Sequence, residues 1–134
     1  MFNLLHIWCH KFILRLLDYH HSGHSNVTVR LTGGSHPGEG RVEVYFAGEW
    51  GRVCEYGWDI NDARVICSML GYAGATRSTS AGFGEGSGPI WLTYVRCSGT
   101  ESNIASCPVS YRWGQSHACT EGYSKDAGVV CLSR

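Results

Sequence analysis

Several things are scarce in this 134-residue chain, and each scarcity excludes something. Charge of one sign has no surplus, because 11 Lys and Arg balance 11 Asp and Glu. A module held to nucleic acid through phosphates carries a basic excess, so nucleic acid is set aside as a partner. No apolar run reaches the ~20 residues that span a bilayer as a helix. A membrane link would need an anchor outside this chain, or the apolar but interrupted segment at its start. No two of the 7 cysteines stand in C-x-x-C spacing. Structural zinc sites usually take two thiolates from one turn, so zinc is disfavoured. Neither G-x-S-x-G nor H-E-x-x-H occurs, which argues against an enzyme. His117 near Cys119 suggests a thiol–imidazole pair, but an oxidised cysteine has no thiolate to attack with.

What is present points to a small cross-linked domain. Hydrophobic residues make up 43% of the chain and charged residues 16%, enough apolar content for a core. The 18 glycines predict many turns and short elements. Cys54, Cys67, Cys97, Cys107, Cys119 and Cys131 are separated by 12, 29, 9, 11 and 11 residues, which suits bridges between distant strands. A bridge closing a long loop contributes about 3–5 kcal/mol, where a small domain has limited apolar area to offset chain entropy. Such bridges need an oxidising compartment, so the expected localisation is extracellular: secreted, or the ectodomain of a membrane protein. Spacing alone does not choose the pairing.

Residues 1–26 differ from the rest. His6, His10, Lys11 and Arg15 interrupt the apolar run a signal core needs, and no small-x-small cleavage site follows. The segment is expected to be a leader or a poorly ordered N-terminal extension. A degenerate signal or anchor, a mis-started or fragmentary chain, and an amphipathic helix with Leu4, Leu5, Trp8, Phe12 and Leu16 on one face all remain open. His20, His21 and His24 are read as a polar linker in preference to a metal tract. Asn26-Val27-Thr28 is an N-x-T glycosylation acceptor at the junction with the domain, which runs from 27 to 134.

Within the domain, Val27, Val29 and Leu31 alternate as one strand, and Val42, Val44 and Phe46 as another. Ala47-Gly48-Glu49 turns the chain into a partner strand over 50–54. A helix is expected over 61–70, capped by Asn61, with Ala63, Ile66, Cys67 and Leu70 inward and Gly71 ending it. Ile90-Trp91-Leu92 reads as a short buried strand and 126–131 as the last one. GFGEGSGP at 82–89 lacks the spacing and lysine of a phosphate loop and reads as an irregular loop. One helix among several strands gives an α+β class. Trp50, Trp58, Trp91 and Trp113 are expected to pack in or against the core.

Taken together, VRLTGG (29–34), GRVEVYFAGEWGRVC (40–54), WDINDARVICSMLGY (58–72), FGEGSGPIWL (83–92), CSGTES (97–102) and DAGVVC (126–131) resemble the scavenger receptor cysteine-rich domain in its six-cysteine form. The resemblance covers roughly 29–131. It implies a curved antiparallel sheet cradling one main helix, with three disulfides: Cys54–Cys119, Cys67–Cys131 and Cys97–Cys107. The last would close a surface loop. Cys9 lies outside the pattern and is either removed with a leader, unpaired or bonded to another chain.

The resemblance also implies a function without catalysis: recognition of an extracellular protein, a microbial surface or a polyanionic ligand. The alternative is an accessory domain of a larger secreted protease or other multidomain enzyme. A small disulfide-rich inhibitor is disfavoured by the long helix. Many family members bind calcium through loop carboxylates. Here Glu55 and Tyr56 stand where two aspartates are expected, Lys125 precedes Asp126 where an acidic residue is expected, and Thr93 and Tyr94 occupy a second acidic pair. Glu55, Asp59 and Asp126 remain as weak metal candidates, so calcium is disfavoured and no other cofactor is expected. Arg30, Arg41, Arg52, Arg64, Arg77, Arg96 and Arg112 are dispersed, and their convergence into a polyanion site is not legible from the sequence.

Overall fold

The computed structural model describes residues 26–113, 119 and 125–133. The readings made above on residues 1–25 and on His117 fall outside that range. The elements in chain order are β1 (Thr28–Gly33), β2 (Glu39–Phe46), β3 (Glu49–Val53), α1 (Ile60–Met69), β4 (Ala75–Ser80), β5 (Ile90–Val95), a single 3₁₀ turn (Ile104–Ser106), β6 (Val109–Arg112) and β7 (Ala127–Cys131).

All seven strands join one sheet, in the order β4-β7-β2-β3-β5-β6, with β1 on β2. The sheet curls because β2 is shared. Glu39–Arg41 pairs with β7, Glu43–Phe46 pairs with β3, and β1 pairs along the strand from Gly40 to Tyr45. An antiparallel bridge between Cys54 and Asp126 links the end of β3 to the start of β7. The β3–β5 pair is parallel, so the sheet is mixed and mostly antiparallel. The β2–β3 hairpin turns on Ala47 and Gly48, at φ 52° and 80°. Positive φ at both central residues matches the right-handed twist of the strands.

The helix starts one residue earlier than the spacing predicts, and its cap is Asp59, not Asn61. Asp59 has extended backbone and accepts from the Asn61 and Asp62 amides, while Asp62 accepts from the Asp59 amide at 2.8 Å. Two carboxylates three residues apart thus satisfy donors that the first helical turn leaves open. Asn61 lies inside that turn, where its oxygen accepts from Arg64 at 2.7 Å. At the other end the Tyr72 amide reaches Cys67 O and the Gly71 amide reaches Ser68 O, with Gly71 at φ 85°. That is a Schellman closure, which needs the left-handed residue that glycine supplies.

The helix packs on β4 and β7. Its inner face (Ala63, Val65, Ile66, Cys67) meets Val42, Val44, Val53, Leu92, Ile104 and Val129 in one apolar core. Each fully buried Val, Ile or Leu there contributes roughly 1.5–3 kcal/mol. Cys67 joins Cys131 across a Cα separation of 5.5 Å, tying the helix to the last strand. Cys54 joins Cys119 over a sequence separation of 65, and Cys97 joins Cys107 over 10. On chain entropy alone these two bridges contribute about 4 and about 3 kcal/mol.

The 97–107 segment is only in part the surface loop expected above: Ser98, Thr100, Ser102 and Ser106 are exposed. Both of its cysteines are buried, and Ile104 between them is fully buried in the core. The Asn103 side chain accepts from the Val27 amide at 3.2 Å and donates back to the Val27 carbonyl at 3.1 Å, which fastens the start of the domain.

Candidate functional site

The three metal candidates have local partners. Asp59 is the helix cap. Asp126 is almost fully buried, accepts from the Gly86 amide and pairs with Arg52 at 3.4 Å. Burial pushes its pKa up, while the Gly86 hydrogen bond and the Arg52 guanidinium pull it back. Glu55 donates its backbone amide to Lys125 O at 3.0 Å, and its carboxylate makes no ion pair among the described residues. Among the described residues, one group of three His, Cys, Asp or Glu donor atoms lies within 4.8 Å: Cys97, Glu101 and Cys107. Its two sulfurs are bonded to each other, so it has no thiolate for a metal.

The glycine-rich loop over 82–89 is held by charge. Arg41 donates to Phe83 O at 3.1 Å. Arg52 donates to Gly88 O at 3.2 Å and to Glu85 at 3.1 Å. Asp126 takes the Gly86 amide that a bound anion would otherwise attract. Glu43, buried in the middle of β2, pairs with Arg30 at 2.8 Å and faces Arg41 at 3.7 Å.

Most of the dispersed arginines are therefore engaged within the domain. Arg30 also covers the Trp50 ring, 4.1 Å from its centroid. Arg112 donates to Ala105 O at 3.2 Å and Cys107 O at 2.8 Å. Among the described residues the side chains of Arg77, Arg96 and Lys125 make no hydrogen bond or ion pair, and they are scattered over β4, the end of β5 and the approach to β7.

The aromatics divide into two groups. Phe46 stacks on Trp113 with centroids 3.9 Å apart and meets Trp91 edge-on at 5.3 Å. Trp58 donates to Gly128 O at 3.0 Å and Trp91 to Glu49 O at 3.1 Å. These rings pack inward, as the sequence suggests. The second group faces outward, as does Tyr45 on β2, which is 44% exposed and tilted against Trp50. Tyr56, Tyr94 and Tyr111 form a row with centroids 5.6 and 6.4 Å apart. Tyr94 is 39% exposed and Tyr111 42%. Tyr56 sits at the corner of a tight turn closed by the Trp58 amide on Glu55 O at 2.9 Å, with Gly57 at φ 74°. Tyr94 itself has φ 57°, a left-handed conformation that a bulky side chain rarely adopts. Tyr111 lies on β6, an outer strand of the sheet.

Sequence reasoning did not assemble this row, because the three positions are far apart in the chain. One signal was available: Tyr56 and Tyr94 each replace an acidic residue that the resemblance led one to expect.

The pattern of buried cysteines, one helix and a curled sheet has relatives. A sequence model of the scavenger receptor cysteine-rich domain matches residues 32–132. The chain belongs to that family. The crystal structure of the third such domain of murine neurotrypsin superposes with a TM-score of 0.69 at 43% identity, over 79% of this chain and 96% of that one. The dimeric form of the scavenger receptor cysteine-rich domain of mouse MARCO superposes with a TM-score of 0.62 at 47% identity, over 77% of this chain and 93% of that one. A scavenger receptor cysteine-rich superfamily protein of Patiria pectinifera is 45% identical over 108 residues, which are 80% of this chain and 9% of that protein. Scavenger receptor cysteine-rich domains are typically extracellular, non-catalytic modules, and no catalytic domain accompanies this one within the chain.

Proposed function

We propose that this scavenger receptor cysteine-rich domain is a non-catalytic recognition module of an extracellular or membrane-anchored protein. Its contact surface is the edge that carries Tyr56, Tyr94 and Tyr111, and its ligand is another extracellular protein. The observation that carries this reading is the exposed tyrosine row beside a set of arginines mostly engaged inside the domain. Tyrosine offers a large contact area at little conformational cost and is enriched where interfaces concentrate their affinity. A polyanion would need free, clustered cations.

The finer features belong to the same proposal. The domain spans 27–134 and is of the six-cysteine form, with Cys54–Cys119, Cys67–Cys131 and Cys97–Cys107 as its bridges. Asn26, exposed at the edge of β1, is a glycan acceptor. Recognition proceeds without calcium, since Asp59 and Asp126 already serve as cap and loop clamp. A second reading, an accessory domain within a larger secreted enzyme, draws on the small share of the Patiria pectinifera relative that the chain spans.

The test is to multimerise the oxidised chain and probe an array of secreted and cell-surface ectodomains, with calcium and with a chelator. The proposal expects a bound ectodomain whose signal survives chelation and is lost in Tyr94→Gly. Binding abolished by chelation, or unaffected by Tyr94→Gly, overturns it.

A further inference from the structure

The tyrosine row also carries information about the chemistry of its partner. An aromatic ring face is electronegative and attracts a cation within about 6 Å of its centroid. Elsewhere on the sheet the domain fills such a site itself, with Arg30 lying 4.1 Å from the Trp50 centroid. No cation of the described residues lies over Tyr56, Tyr94 or Tyr111. The rings are tilted against each other by 42° and 51°, with spacings of 5.6 and 6.4 Å. At those spacings one cation fits within reach of two neighbouring faces. Glu55, which opens the turn bearing Tyr56, keeps a carboxylate without an ion pair among the described residues. Tyr94 keeps a left-handed backbone at φ 57°. The inward-packed Trp113 shares that conformation at φ 54°.

Resting on the reading above, we infer that this edge receives an arginine side chain of a partner protein, lying across the open faces of neighbouring tyrosines with Glu55 as counter-charge. Arginine fits better than lysine because its planar guanidinium stacks on rings and sheds water more readily. Lys125, whose carbonyl takes the Glu55 amide, brings a like charge to the chain beside the Glu55 turn and works against such a ligand. A polyanion would meet the opposite balance. The sign of a charge change at Lys125 therefore separates the two.

The experiment is an NMR titration of the oxidised 134-residue chain, following the tyrosine ring resonances. The probes are a peptide alternating arginine and glycine, a matched peptide of glutamate and glycine, and a heparin oligosaccharide. The expected result is that the arginine peptide alone moves the rings of Tyr56, Tyr94 and Tyr111. Tyr94→Gly keeps the backbone conformation without strain, and it should weaken the peptide about 10-fold, the size of one cation–π contact. Tyr94→Phe keeps the ring face and should bind within about 2-fold of the parent. Lys125→Glu should tighten binding by roughly 3-fold. Ring shifts caused by heparin, weakening by Lys125→Glu, or shifts that follow protein concentration alone (a second copy on the row) would each overturn the inference. If no probe moves the rings while Tyr94→Gly still abolishes capture of an ectodomain, the arginine assignment fails and the recognition edge stands.

Discussion

Two aromatic clusters on the sheet, both drawing on β5, treat the same kinds of side chain in opposite ways. In the first, Phe46 of β2 stacks on Trp113 just beyond β6, Trp91 of β5 donates to a backbone carbonyl, and Arg30 lies over Trp50 while pairing with Glu43. In the second, around the Tyr56 turn and the ends of β5 and β6, Tyr94 and Tyr111 stand exposed and Tyr56 half-buried, with no cation of the described residues over them. The first satisfies most of its groups internally, Tyr45 beside Trp50 standing exposed, and contributes to stability. The second leaves its rings open, which is the arrangement expected of a contact surface.

Substitutions that separate stability from recognition can break this comparison. The largest expected effect is Phe46→Ala, which leaves Trp113 and Trp91 without their partner and should cost about 3 kcal/mol in chemical unfolding of the oxidised chain. Its tyrosine rings should still respond to ligand. A comparable stability loss in Tyr111→Ala would show that both rows are structural.

Asp126→Ala should cost about 2 kcal/mol, because it removes the acceptor of the Gly86 amide and leaves Arg52 without a buried partner. Hydrogen exchange should speed up in 82–89 more than in the helix. Uniform exchange across both would mean that the charged clamp does not hold that loop.

Asp62 supplies a test by pH. It is fully buried, and burial raises its pKa from 3.8 to about 6, against hydrogen bonds from the Cys97 and Asp59 amides. The folded value lies above the unfolded one, so ionising the group costs stability. That cost is absent below the unfolded value of 3.8 and complete above about 6. The unfolding midpoint should therefore rise as pH falls from about 7 to 5, and Asp62→Asn should flatten the slope. An unchanged slope in Asp62→Asn would contradict the assignment.

The smallest expected effect on stability is that of Tyr94→Gly. Relief of the left-handed backbone, worth roughly 1–2 kcal/mol, offsets the lost ring contacts, so the net change should stay within about 1 kcal/mol. A larger loss, read from the same unfolding curves, would place Tyr94 with the structural aromatics.

Much of the fold was legible in the sequence because its strands alternate. Val29 with Leu31, and Val42 with Val44, announce one buried face, and Ile66 with Cys67 announces the inner face of the helix. Two strands were not legible. β4 is ATRSTS, polar on both faces, and forms through its pairing with β7. β6 has only four residues and pairs with β5 alone. The cap moved to Asp59 because reciprocity with Asp62 satisfies more amides than Asn61 can reach. The buried Glu43 was invisible because it interrupts an apolar strand exactly as a solvent-facing residue would, and only the fold brings Arg30 and Arg41 to it. The tyrosine row has the same character: no local pattern links positions 56, 94 and 111 before the sheet curls.

The central claim, that one aromatic cluster holds the domain together while the tyrosine row recognises a partner, is tested most directly by measuring ectodomain binding by Tyr94→Gly at matched thermal stability. The account predicts an unfolding midpoint close to that of the parent and a binding signal reduced at least about 10-fold. Parental binding by that variant would contradict it.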